Sequence, residues 1–114
     1  MADDEANLQD VLEHARECLG YLEGVRVTGF VKDRRLQLVV QRLVEIIAEA
    51  AGRVHATIQT RIEVDWRGLR GLRNVIAHQY GRVDAEALLL GVRANLPDLV
   101  AKVQAFLDDG APLR

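Results

Sequence analysis

The chain of 114 residues contains no serine, a single cysteine, two prolines and few aromatic rings. Without serine there is no Ser-His-Asp triad. With Cys18 alone there is no internal disulfide, and this residue reads as a small apolar side chain. With only Pro97 and Pro112, long helices can run almost unbroken. No apolar run approaches membrane-spanning length, and the acidic start lacks an apolar h-region, so a cytoplasmic protein with no membrane contact is expected. A Gly-rich phosphate loop, an HExxH pair, an EF-hand loop and a solenoid-type repeat are all missing. His14 and Cys18 stand one turn apart, a metal-like spacing, but two ligands without a third make a poor site. Neither a metal nor a cofactor is expected.

What is present suits a helical bundle. Hydrophobic residues make up 49% of the chain and aromatics only 4%, so aliphatic side chains dominate. The length fits one domain over 1–114, with 1–5 and 109–114 expected to be loose. A chain this short buries a modest core, to which oligomerisation would add. The net charge of −2 argues against a generally basic nucleic-acid binder. Its distribution matters more. Asp3, Asp4, Glu5, Asp10, Glu13, Glu17 and Glu23 crowd the first segment, whereas Arg61, Arg67, Arg70, Arg73 and Arg82 gather near the middle. A local basic patch can hold phosphates on a mildly acidic protein.

In chain order, Leu8, Val11, Leu12, Ala15, Leu19 and Leu22 form an i, i+3, i+4, i+7 stripe, which predicts a first helix over about Asp4 to Glu23. Gly24 to Lys32 reads as a linker, with Phe30 tucked into the bundle. Asp33 is the expected N-cap of a second helix reaching about Val54, and at most Gln59. Leu36, Val40, Leu43, Ile47, Ala50 and Val54 form its main stripe, while Val39, Val44, Ile46 and Ala51 spread the apolar surface further. Such a helix needs partners on more than one side: it is central to the monomer or part of a dimer interface. Arg53 and His55 read as surface residues. Asp84 is expected to cap a last helix that turns Leu88, Val92, Leu96, Leu99, Val103 and Phe106 inward. Pro97 either kinks that helix or starts another.

Between these lies Trp66 to Asp84, WRGLRGLRNVIAHQYGRVD. Asp65 is a good N-cap for a helix here, and Gly81 a C-cap signal. Leu69, Leu72, Ile76 and Tyr80 fall on one side at about 100° per residue, and Arg67, Gly71, Asn74 and His78 on the other. Arg73 falls within the apolar stripe, so it is expected to need a carboxylate partner or a wet cleft. The spacing from Arg73 to His78 is not decisive by itself. Thirteen arginines and three histidines produce such a pair by chance in roughly one comparable chain in three.

The longer pattern is more specific. Arg73-Asn74, His78 and Tyr80 form R-N-x-x-x-H-x-Y, which resembles the signature of the HepT-like branch of the HEPN ribonucleases. Upstream, Gln41 to Ala51 resembles that family's long second helix. Downstream, Val83-Asp84 and Leu96-Pro97-Asp98-Leu99 resemble its C-terminal part, and Trp66 stands where the family often has tryptophan. The resemblance spans roughly Asp10 to Leu107. One departure is Ala48, where glycine is usual. The resemblance implies an all-α, four- to five-helix antiparallel bundle that forms homodimers, with both motifs lining one cleft. It implies a metal-independent endoribonuclease, the toxin of a pair whose antitoxin is a minimal nucleotidyltransferase. It makes Arg73, Asn74 and His78 catalytic candidates, and Tyr80 the residue to which the partner attaches AMP.

The residue chemistry is compatible with this. Cleavage without metal needs a proton acceptor for the ribose hydroxyl, a proton donor for the leaving oxygen and cations for the phosphate. Histidine serves the first two near neutral pH, and arginine's planar fork serves the third. Asn74, one turn before His78, is placed to orient its ring or the phosphate. Arg67, Arg70 and Arg82 are further candidate phosphate contacts. Arg73 and His78 lie about 140° apart on a regular helix, so a distorted helix end or a two-fold dimer is needed to bring such groups together. Two other readings stand beside this one: a non-catalytic partner that holds a nucleotide or a nucleotidyltransferase, and a purely structural helical dimer.

Overall fold

A computed structural model describes residues 2–77 and 84–110 of the chain. Among the described residues there are six helices and no strand: α1 (Ala2–Leu22), α2 (Val27–Lys32), α3 (Arg34–Arg53), α4 (Ala56–Gln59), α5 (Trp66–Ala77) and α6 (Ala85–Asp108). The fold is thus the all-α one expected. The four long helices carry the bundle: α3 and α6 each pack against both α1 and α5. This puts α1 and α5 at opposite corners.

The helices start where the sequence supplies caps. Asp33, Asp65 and Asp84 accept the backbone N–H of Leu36 (3.0 Å), Gly68 (2.8 Å) and Ala87 (3.0 Å). Each bond satisfies one amide that the first turn leaves unpaired. The expected stripes are buried: Leu8, Val11, Leu12, Ala15 and Leu22 on α1, Val40, Leu43, Ile47 and Ala50 on α3, and Leu88, Val92, Leu96, Leu99 and Val103 on α6. Val39 of α3 is exposed instead, and Leu19, Leu36 and Phe106 are half-buried.

One expectation is corrected and two open alternatives are resolved. The segment read as a linker contains α2, because burial of Phe30 folds it into a turn closed by the Phe30 N–H on the Arg26 carbonyl at 2.9 Å. The side-chain amide of Gln37 then donates to the carbonyls of Phe30 and Val31 at 2.9 and 3.0 Å, tying α2 to α3. The second long helix stops at Arg53, where Val54 turns extended, and α4 follows as a separate turn. Pro97 starts no new helix: it sits exposed inside α6, with Leu96 and Leu99 buried beside it.

Bonds between segments far apart in the chain hold the antiparallel layout. Asp4, only 5% exposed, accepts the backbone N–H of His55 at 2.8 Å, so α1 is anchored within its first turn. At the other end of α1, Arg93 of α6 donates to the carbonyls of Leu22 (3.1 Å) and Val25, placing a cation at a helix C-terminus. Lys102 Nζ donates to the Glu63 carbonyl at 2.6 Å, and the Arg61 guanidinium lies 5.0 Å from the Phe106 ring centroid. One end of the bundle therefore holds the end of α1, α2, the start of α3, the end of α5 and the start of α6.

Candidate functional site

α5 is set in place at its start by Asp65 and Trp66. The Trp66 Nε1–H donates to the carbonyls of Gln59 (3.1 Å) and Ile62 (3.2 Å), so the indole is fixed by its polar edge. Leu69 and Leu72 are buried and Ile76 is half-buried. The side of α5 carrying Gly68 and Leu72 meets α6. A Cβ built on Gly68 would stand 2.6 Å from Asn95 Oδ1, and one built on Gly91 would collide with Leu72 Cδ2. At both positions glycine leaves room for neighbouring side-chain ends, Asp65 and Asn95 at Gly68 and Leu72 at Gly91.

Arg73 is exposed, contrary to the expectation of an arginine facing the core. On a helical wheel it lies about 40° past Leu69, away from α6 and toward the mouth of the groove between α5 and α3. The buried stripe of α5 is narrower than its apolar residues suggested: it runs through Leu69 and Leu72 and stops short of Arg73. Asn74, Arg67 and Arg70 are exposed as expected. Among the described residues, none of Arg67, Arg70, Arg73 and Asn74 has a side-chain hydrogen bond or ion pair. Free guanidinium groups on one side of a helix can bind phosphate without first giving up a carboxylate. His78, Tyr80, Gly81 and Arg82 lie outside the described residues.

The opposite corner carries opposite charge. Asp3, Glu5, Asp10, Glu13 and Glu17 are exposed on α1. A polyanion is thus favoured at α5 and repelled at α1. The His14–Cys18 pair is not gathered with a third ligand: Cys18 is buried, His14 Nδ1 sits 2.7 Å from the Asp10 carbonyl, and among the described residues no group of three potential ligands is found. Burial, with help from Glu17, pushes the Cys18 thiol up to about 12. No helix among the described residues is long and apolar enough to cross a membrane.

A feature the sequence reading missed is a shallow cleft between α3 and α5. Ala48, Ala51 and Gly52 form one wall, Trp66 and Arg70 the other. The small residues on α3 were the available signal, but only the pairing of α3 with α5 makes them a recess.

The sequence profile of the ribonuclease HepT-like family matches residues 11–106. The chain belongs to the HepT-like ribonuclease family. Its membership supports ribonuclease activity, with RNA as the class of substrate. Relatives agree over nearly their full lengths. "Putative RNase MJ1380" of Methanocaldococcus jannaschii is 27% identical over 90% of this chain and 94% of its own. "Probable ribonuclease HepT" of Thermococcus cleftensis is 26% identical over 85% of this chain and 89% of its own. "Putative RNase TTE0752" of Caldanaerobacter subterraneus subsp. tengcongensis is 25% identical over 88% and 90%. No solved structure gives a significant match. The match to this family includes α5, the groove beside it and the capped start of α6.

Proposed function

We propose that this HepT-like protein is a metal-independent endoribonuclease, working as a homodimer and serving as the toxin of a toxin–antitoxin pair. His78 is the general acid and base, Arg73 steadies the phosphate, and Asn74 orients the reacting groups. The ribose 2′-oxygen attacks the adjacent phosphorus as its proton is removed; the 5′-oxygen leaves as it is protonated, and a cyclic phosphate remains. Arg67, Arg70 and Arg82 hold flanking phosphates. Tyr80 is where a partner nucleotidyltransferase attaches AMP, adding negative charge and bulk beside the cationic site and repelling RNA.

The observation that carries this reading is the position of Arg73 and Asn74. They stand exposed and unpartnered on the last turn of α5 that is described, immediately before His78. The same end of the bundle carries Tyr21, Val31, Leu38, Val39 and Leu90, all large, apolar and exposed. Exposed apolar side chains gathered at one end favour burial against another subunit. A two-fold contact there would bring two motif helices together. The test is cleavage of RNA by the purified dimer in EDTA, with cyclic-phosphate ends on the product. Growth arrest relieved by a neighbouring nucleotidyltransferase would support the toxin role. Nucleotide binding without RNA cleavage would favour a non-catalytic partner instead.

A further inference from the structure

The cleft and the motif lie along one groove. Trp66, Arg70 and Arg73 are spaced i, i+4 and i+7, so they follow one side of α5, and Arg73 lies about 10 Å along the axis from Trp66. Across the groove, Ala48 and Gly52 share a side of α3, and Gln41 extends that side by two turns toward the motif end. The Gln41 Nε2 is buried there and has no hydrogen-bond partner. The recess itself holds only about 30 Å³, too little to swallow a base. A base would lie across its mouth, against the half-buried indole and the flat wall of Ala48, Ala51 and Gly52, with its phosphate on Arg70.

We propose that the groove between α3 and α5 is an RNA subsite that seats a nucleotide next to the cut, with its base at the Trp66 cleft and its phosphate on Arg70. This rests on the ribonuclease reading and adds a length preference to it. Three features favour a single RNA strand as the occupant. The groove wall on α5 is cationic, its arginines are unpartnered, and an aromatic ring rigidly held by its edge presents a surface for sequence-tolerant stacking. The enzyme should therefore handle an oligonucleotide that reaches the cleft better than a dinucleotide that spans only the scissile bond.

Gly52→Leu tests this at an exposed helix position where a Cβ meets nothing within 4 Å, with helix content checked by circular dichroism. Gly20→Leu on the far face of α1 is the control, because a Cβ there also meets open space. Binding of labelled di- and hexaribonucleotides is read by anisotropy in the His78→Ala background, and cleavage of both in the wild-type background. The expected result is that Gly52→Leu and Arg70→Gln each reduce the hexanucleotide's advantage on the order of tenfold, while Gly20→Leu leaves it intact. An unchanged advantage in both variants overturns the subsite, as does a wild-type protein that binds both lengths equally. Loss of nucleotidyltransferase binding in Gly52→Leu with RNA binding intact would overturn it in favour of a protein groove. Because binding is read apart from cleavage, absence of cleavage with a preserved length preference would sink the ribonuclease reading and leave the subsite standing.

Discussion

Leu72 of α5 occupies the space that any side chain at Gly91 of α6 would need. This contact sets how closely the motif helix lies on the last helix. Gly91→Ala would push the Leu72 side chain out of its place in the α5–α6 contact and should cost about 1–3 kcal/mol by urea denaturation. Gly71→Ala offers the contrast, because a Cβ there meets nothing within 4 Å. It should stabilise by about 0.5–1 kcal/mol through helix propensity. Equal effects at the two positions would contradict the packing described.

His78→Ala should lower RNA cleavage by roughly 10²–10⁴-fold while leaving helix content and subunit association unchanged. Cleavage by the unmodified protein should persist in excess EDTA. Full activity in the variant would remove His78 from the reaction, and strict dependence on added metal would point to other chemistry.

If each cleft draws on both subunits, two inactive variants should complement each other. A dimer of Arg73→Ala with His78→Ala keeps one site with both groups intact when those groups come from different chains. Random mixing should then restore up to about a quarter of wild-type activity. No recovery, with mixed dimers demonstrated by mass spectrometry, would place Arg73 and His78 of each site on the same chain.

Cys18 gives a pH prediction. Its thiol is raised from 9.0 to about 12 in the fold, first by burial and then by Glu17. The unfolded chain therefore loses this proton before the folded one does. The stabilisation is fully present below pH 9 and is lost progressively as pH rises toward 12. Alkylation by iodoacetamide at pH 8 should be negligible in the native protein and rapid in urea. Ready labelling of the native state would contradict the buried position.

Much of this protein was settled by local sequence. Apolar spacing marked the inward faces of α1, α3 and α6, and the aspartates at 33, 65 and 84 marked three helix starts, because periodicity and capping act within a few residues. The string from Arg73 to Tyr80 carried the family resemblance, and the family itself is shown by a match over residues 11–106. The fold of Gly24 to Lys32 was not legible, since α2 depends on Phe30 reaching a core built by distant helices and on Gln37 accepting its role as a clamp. Nor was the outward position of Arg73. Its place on the wheel was readable, but which sector is covered depends on how α6 and α3 approach α5. That approach is fixed by Leu72 against Gly91 and by the small residues of α3, contacts between segments far apart in the chain. Periodicity reports which face of a helix is apolar; only packing decides how wide a strip its neighbours cover.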